Sequence, residues 1–382
     1  MDTTRTGIVG GTIVTPDRVL QGGELVLAGE RVAAVRATPG DASDLDRRID
    51  AEGRYVIPGL VDLHGDDVER FLSPRSGERI PVRSALRVAD RHTIGAGVTT
   101  KFDAVAFEDA PEKNRSIDVA TDLLDAIERE DGLAADHRFH ARCEVTDPAS
   151  VAEVRDVADR DVVDIVSLMA HVPESGQFDD EGAFERRYAD GRGAAADAVE
   201  RLGRERAAVP AERRRERASD LANGLADADV VLASHDDADA AAVERAVSDG
   251  VALAEYPLTI EAARRAHELG VATAMGAPNV VRGGSLWDNL DAREAIADGL
   301  VDALCSDYRP QSLLESVFVD TGESLSERVA RVTSEPAAVA GLDDRGRLEP
   351  GARADVAVVD PEPTPTVTRA FVGGRESYCY RP

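Results

Sequence analysis

The sequence predicts an α/β fold: a TIM-like (β/α)8 barrel carrying a small β-sandwich built from both chain ends. Three observations predict it. Helix-like and short strand-like stretches alternate through the middle of the chain, both ends are β-rich with glycine turns, and histidines and acids close predicted strands. With 382 residues the chain is long enough to bury a large core and to hold both parts.

Residues 7 to 57 contain "GIVGGTIVTP", "ELVLAGERVAAVRA" and "RRIDAEGRYVIPG", short strands separated by glycine turns. The segment "GRLEPGARADVAVVDPEPTPTVTRAFVGGRE" has the same texture, so 1–57 and 342–382 are expected to form one discontinuous β-sandwich domain. Between them, 58–341 alternates helical runs such as "SALRVADRHTIGAG" with strand-like runs: "VTTKFDAV", "RFHARCEV", "DVVDIVSLMAHV", "DVVLASHD", "GVALAEYPL", "VATAMGAP" and "DALCSDY". That alternation calls for a parallel sheet, and its length favours a closed barrel. A helical excursion rich in Ala, Glu and Arg occupies about 184–227, with acids and bases three or four apart. It reads as a solvated hairpin held by surface pairs; the alternative is a basic lid over an anionic substrate.

The formal net charge is −28, and Lys101 and Lys113 are the two lysines among 45 basic residues. A surface of Asp and Glu with so few lysines suits a protein kept soluble at high salt, where the Debye length shrinks to about 3 Å at 1 M. Nucleic acid and anionic membrane surfaces are excluded as partners, whereas a small anionic substrate remains open if arginines cluster in a cleft. Cys143, Cys305 and Cys379 show no C-x-x-C spacing and are expected to be reduced. The sequence holds neither a secretory h-region at its start nor a run of about 20 apolar residues, so a cytoplasmic protein is expected.

The chemistry begins at "VDLHGDDVER". Side chains two apart in a strand share a face, so His64 and Asp66 converge, and an imidazole with a carboxylate can hold a divalent metal. His171 closes "DIVSLMAHV", His235 closes "VVLASHDD", Asp307 closes "DALCSDY" and Glu144 closes "RFHARCEV". His140 shares the Glu144 face and is expected to be packed behind it; His92 and His267 are assigned to helix surfaces, and His137 receives no role. Six ligands (His64, Asp66, Glu144, His171, His235 and Asp307) exceed one tetrahedral ion but suit two metals bridged by a carboxylate. "GAPNVVRGGS" adds Asn279, Arg282, Gly283 and Gly284, where glycine N–H groups and a guanidinium would meet an anion. Arg75 and Arg79 in "SPRSGERIP" stand on the same rim, as an anion contact or as an ordinary turn.

These residues resemble the amidohydrolase superfamily, and within it the phosphonate-metabolism branch, the PhnM family. "VIPGLVDLH" and "SEPAAVAGLDDRGRLEPGARADVAVVD" carry the superfamily likeness, while "LHGDDVERFLSPR", "GVTTKFDA", "HARCE", "MGAPNVVRGGS" and "SDYRPQSLLES" carry the branch. The resemblance implies two divalent metal ions, zinc first with manganese and iron as alternatives, held by His64, Asp66, His171, His235 and Asp307 with Glu144 as the bridging carboxylate. It implies release of pyrophosphate from α-D-ribose 1-methylphosphonate 5-triphosphate to leave the 5-phosphate, in the carbon–phosphorus lyase pathway, with Asp307 moving the proton. The turn "HVPESGQF" departs from the branch by placing Glu174 and Ser175 after His171. Competing expectations are an amidohydrolase of cyclic amides or a deaminase, and a metal-free binding protein on the same fold. The number of subunits is left open.

Overall fold

The computed structural model describes residues 4–75, 78–173, 176–178, 182–189 and 196–381. Strands from both chain ends join one mixed sheet: β1 (Arg5–Val14), β2 (Val19–Ala28), β3 (Arg31–Arg36), β4 (Arg47–Asp50) and β5 (Tyr55–Pro58) from the start. The eight strands β6 (Leu60–Gly65), β7 (Val98–Phe107), β8 (Asp136–Glu144), β9 (Val163–Met169), β10 (Val231–His235), β11 (Leu253–Glu255), β12 (Ala272–Gly276) and β13 (Ala303–Cys305) follow. β14 (Val356–Asp360), β15 (Thr366–Val372) and β16 (Arg375–Cys379) then return to the first sheet. Its order is β16-β15-β14-β5-β1-β2-β3 with β4 against β1, so the pairing of β5 with β14 is what sews the two ends together. Alternate residues of these strands, among them Ile8, Ile13, Leu25, Leu27, Val56, Val356, Val358 and Phe371, meet in a dry cluster, as period-two patterning requires.

The central eight strands run parallel in chain order from β6 to β13. A bridge between Gly65 and Asp307 closes the ring, through Asp307 N donating to His64 O at 2.9 Å and Asp66 N donating to Asp307 O at 2.9 Å. Val61, Leu63, Phe102, Ile165, Ala233, Leu253, Ala274 and Cys305 fill the interior, so the barrel is a packed core and only its C-terminal mouth is free for chemistry. Amphipathic helices such as Val82–Gly95 and Ile117–Arg129 cover the outside, burying Leu86, Ala89, Leu123 and Leu124 against the strands.

The excursion contains helices Ala183–Ala189, Ala196–Ala207 and Ala211–Gly224. The expected surface pairs exist, Arg204 with Glu200 and Arg213 with Glu216, but the hairpin is more than a solvated one. Arg206 is buried and Arg217 donates to the carbonyls of Val145 and Thr146, because the helices pack over the end of β8 and exclude water there.

Candidate metal centre at the barrel mouth

The closing seam places three of the expected residues side by side. Asp62 accepts from Ser306 N at 2.9 Å and from Ser306 Oγ, tying the strand before His64 to the strand before Asp307. Gly65 sits in this seam because a Cβ there would lie 2.5 Å from Lys101 Cε and 2.8 Å from Asp62 Oδ2. At three strand ends a non-glycine residue takes a left-handed backbone: Asp236 (φ 59°), Tyr256 (φ 54°) and Asp307 (φ 55°). Such conformations are costly, and here they turn side chains across the barrel axis. His64, Asp66, His171, His235, Asp236 and Asp307 all line one cavity of about 650 Å³.

The imidazoles are held from behind by carboxylates. His64 Nδ1 donates to Glu255 Oε1 at 2.8 Å and His171 Nδ1 donates to Glu144 Oε2 at 2.9 Å, an arrangement that leaves each Nε2 as a lone-pair donor. His235 Nδ1 lies 3.5 Å from Glu255 Oε2 and its Nε2 lies 3.5 Å from Asp236 Oδ2. Burial first, and then the Arg142 charge, hold His64 far below the usual imidazole range; burial, against the opposing pull of Glu255, takes His235 down to about 3. Neutral imidazoles are what a metal needs. Asp307 is pushed up by burial and by the neighbouring carboxylate of Asp66.

These residues fit a divalent cation. Among the described residues, three sets of donor atoms approach within 4.8 Å of one another: His64, His140 and Glu255; His171, His235 and Asp236; Glu108, Glu144 and His171. Among the described residues His235 Nδ1 and Glu255 Oε2 are buried without a hydrogen-bond partner, and Asp66, Asp307 and Asp236 bring three carboxylates to one mouth. A cation would offset that concentration of acid.

The other expected residues take these places in the structure. Glu144 does not reach the cavity: it is fully buried behind His171 and is held by Thr146 Oγ1 at 2.7 Å and by Arg206 at 3.4 Å. It braces His171 from behind and, with Glu108 and His171, forms one of the donor sets above. Arg75 is exposed and stands off the cavity lining, and Arg79 donates to Asn114 O at 3.1 Å. The "NVVRGG" stretch is the C-terminal end of a short helix, Ala277–Arg282, where partial negative charge gathers. Gly283 (φ 81°) and Gly284 (φ 146°) are required by its left-handed cap, and their N–H groups donate to Asn279 O at 2.9 and 3.2 Å instead of pointing at an anion. Asn279 donates to Leu290 O at 3.0 Å and accepts from Ala292 N at 3.1 Å, so its amide ties the loop. Arg282 lines the cavity, yet its Nε and Nη2 both donate to Gly284 O, at 3.0 and 2.6 Å. Glu174 and Ser175 lie outside the described residues.

Four features were missed. Glu255 ends "VALAE" as abruptly as His171 ends its own run, and that signal was available. His137, given no role above, is buried between Asp103 (2.6 Å) and Asp90 (3.3 Å). His92, assigned to a surface, stands 3.5 Å from the buried Asp67 and contacts Gln311. Arg70 on the short helix Val68–Leu72, Arg115, and Arg142 on β8 bring positive charge to the cavity wall, beside Lys113, whose ammonium is pulled down to about 7 by burial and then by Arg115.

Residues 291–370 match the amidohydrolase family. Over 353 residues the chain is 34% identical to the α-D-ribose 1-methylphosphonate 5-triphosphate diphosphatase of Escherichia coli (strain K12), covering 90% of this chain and 92% of that protein. The chain belongs to this family. Family membership with a set of buried ligand groups points to a divalent metal. A shorter stretch of 115 residues is 37% identical to dihydroorotase from Mycobacterium tuberculosis, 24% of this chain and 27% of that one. Among solved structures, molinate hydrolase superposes with a TM-score of 0.66 at 15% identity over 98% of this chain and 95% of that one, which shows the shared fold. A Xaa-Pro dipeptidase gives 0.65 at 18% identity over 98% and 99%.

Proposed function

We propose that the protein hydrolyses α-D-ribose 1-methylphosphonate 5-triphosphate to the 5-phosphate and pyrophosphate, in phosphonate degradation by the carbon–phosphorus lyase pathway. The observation that carries this reading is the cavity itself: in a chain of net charge −28, one mouth gathers His64, Asp66, His171, His235 and Asp307 beside Arg70, Lys113, Arg115 and Arg142. That combination suits a polyanion whose phosphorus is to be attacked by water.

His64, Asp66, His171, His235 and Asp307 would hold two divalent ions, zinc first with manganese or iron as alternatives. Bound ions supply Lewis-acid polarisation of a phosphoryl oxygen and of the attacking water. Asp307, turned into the cavity by its left-handed backbone, takes the proton of that water. The water oxygen bonds to phosphorus while the bond to the bridging oxygen breaks, and the electron pair leaves on pyrophosphate. Glu144 and Glu255 keep His171 and His64 in the required tautomer and orientation. The cationic wall neutralises the charge that gathers on pyrophosphate.

The test is metal analysis of protein purified in high salt, followed by a pyrophosphate-release assay on the ribosyl triphosphate and, in parallel, on dihydroorotate. Close to two metal ions per chain with pyrophosphate release is the expected result. Turnover of the cyclic amide alone would replace the reading with a cyclic amidohydrolase, and full activity in metal-free protein would remove the metals from it.

A further inference from the structure

We propose that Arg142 is a catalytic residue whose guanidinium grips a non-bridging oxygen of the phosphoryl group under attack. The inference deepens the diphosphatase reading and rests on it for the identity of that group.

Its position follows from strand geometry. His140, Arg142 and Glu144 share one face of β8. His140, the innermost, is locked in the barrel by Leu63 O at 2.9 Å and Ser167 Oγ at 3.0 Å, so the next side chain on that face rises to the mouth. Arg142 lines the cavity while remaining only 6% exposed. A buried guanidinium is expensive unless its donors are satisfied. Here Nε and Nη1 have no hydrogen-bond partner among the described residues, and Asp66 Oδ2 stands 3.7 Å from Nη1, beyond hydrogen-bond reach.

The other arginines of the wall are either spent on protein partners or, like Arg70, stand at the exposed rim. Arg115 pairs with Glu69 at 2.7 Å and Glu108 at 2.5 Å, Arg70 lies over the Tyr308 ring at 5.2 Å, and Arg282 caps its own turn. Arg142 therefore holds open donors of a planar fork next to Asp66, His64 and Asp307. Nη1 and Nη2 share one edge of the planar guanidinium, and N–H groups along that edge can meet a non-bridging phosphoryl oxygen in a fixed plane. Contact at that distance from the ligand set reaches the reacting phosphorus, where charge changes most during the reaction.

The competing explanation is that Arg142 only balances the acids of the mouth. Arg142→Met keeps the length of the side chain and removes charge and fork; Arg142→Lys keeps the charge and loses the fork. Each is compared with the wild type in metal content, steady-state kinetics and calorimetric titration with inorganic phosphate. The Met variant is expected to keep its metal, to bind phosphate at least about tenfold more weakly and to lose about 100-fold in kcat/KM. The Lys variant should recover no more than about a tenth of the wild-type value. Phosphate affinity unchanged in the Met variant overturns the proposal, as does full recovery by lysine, which would assign charge balance alone. Activity loss explained by lost metal overturns it too. If the wild type binds phosphate but releases no pyrophosphate, the diphosphatase reading falls while the titration still decides Arg142; a wild type that binds no phosphate overturns the proposal directly.

Discussion

At the scale of single residues the centre depends on carboxylates that stand behind its imidazoles. Glu255 is fully buried, donates nothing, and offers one oxygen to His64 while the other faces His235 and His140 at 3.5 and 3.6 Å. Removing such an orienting partner commonly costs a factor of about 10–100 in metal affinity. Glu255→Ala should therefore weaken metal binding by that factor, read by chelator competition, while the fold persists; unchanged affinity would reduce Glu255 to packing. His235→Ala should abolish most turnover with an unaltered far-ultraviolet circular dichroism spectrum, since the barrel interior of Val61, Phe102, Ile165 and Leu253 does not depend on it.

At the scale of elements, the helical excursion contributes from behind the site. Arg206, on the helix Ala196–Ala207, pairs with Glu108 and stands 3.4 Å from Glu144, with its Nη1 also 3.5 Å from His171 O. Burial works against ionised Glu144, and Arg206 with His171 outweighs it, holding the carboxyl below its usual range. Arg206→Met would strand two buried carboxylates, although Arg115 still serves Glu108. A cost of about 3 kcal/mol is expected in denaturant unfolding, together with weaker metal retention through a loosened His171. A surface hairpin of the kind suggested by its i, i+4 pairs would show a change within about 0.5 kcal/mol.

At the scale of the whole molecule, the net charge predicts how stability depends on salt. With a net charge of −28, dilution of salt should lower the melting temperature as acid–acid repulsion is unscreened. A flat melting temperature from molar to low salt would contradict that. A second dependence lies in the barrel wall, where Lys101 pairs with Asp67 and Asp103 and His137 is clamped by Asp103 and Asp90. Burial disfavours the His137 charge, but Asp103 and Asp90 overcome it and raise the group from 6.5 to about 9. A raised histidine contributes stability that is whole below about 6.5 and is lost as pH climbs through about 9, on the order of 3 kcal/mol. The stability gap between wild type and His137→Gln should therefore be widest near pH 6 and close toward pH 10; a gap independent of pH would mean the pair is not ionised.

The sequence by itself determined the alternation that makes a parallel barrel, the β-rich ends that share a sheet, and the abrupt polar endings at His64, His171, His235 and Asp307, because these are local patterns: period two, strand length and a break in an apolar run. It also supplied the motifs by which the chain's family is legible. Only the tertiary structure decided what each polar group faces. Glu144 and Glu255 look alike in sequence, each an acid ending a strand, yet packing turns both behind histidines. "NVVRGG" reads as an anion loop until its N–H groups are seen to close a helix, and Arg142 reads as one arginine among many until the barrel buries it with open donors. Hydrogen-bond partners and burial depend on residues up to hundreds of positions away, such as the 244 separating Asp62 from Ser306, and no local pattern encodes them.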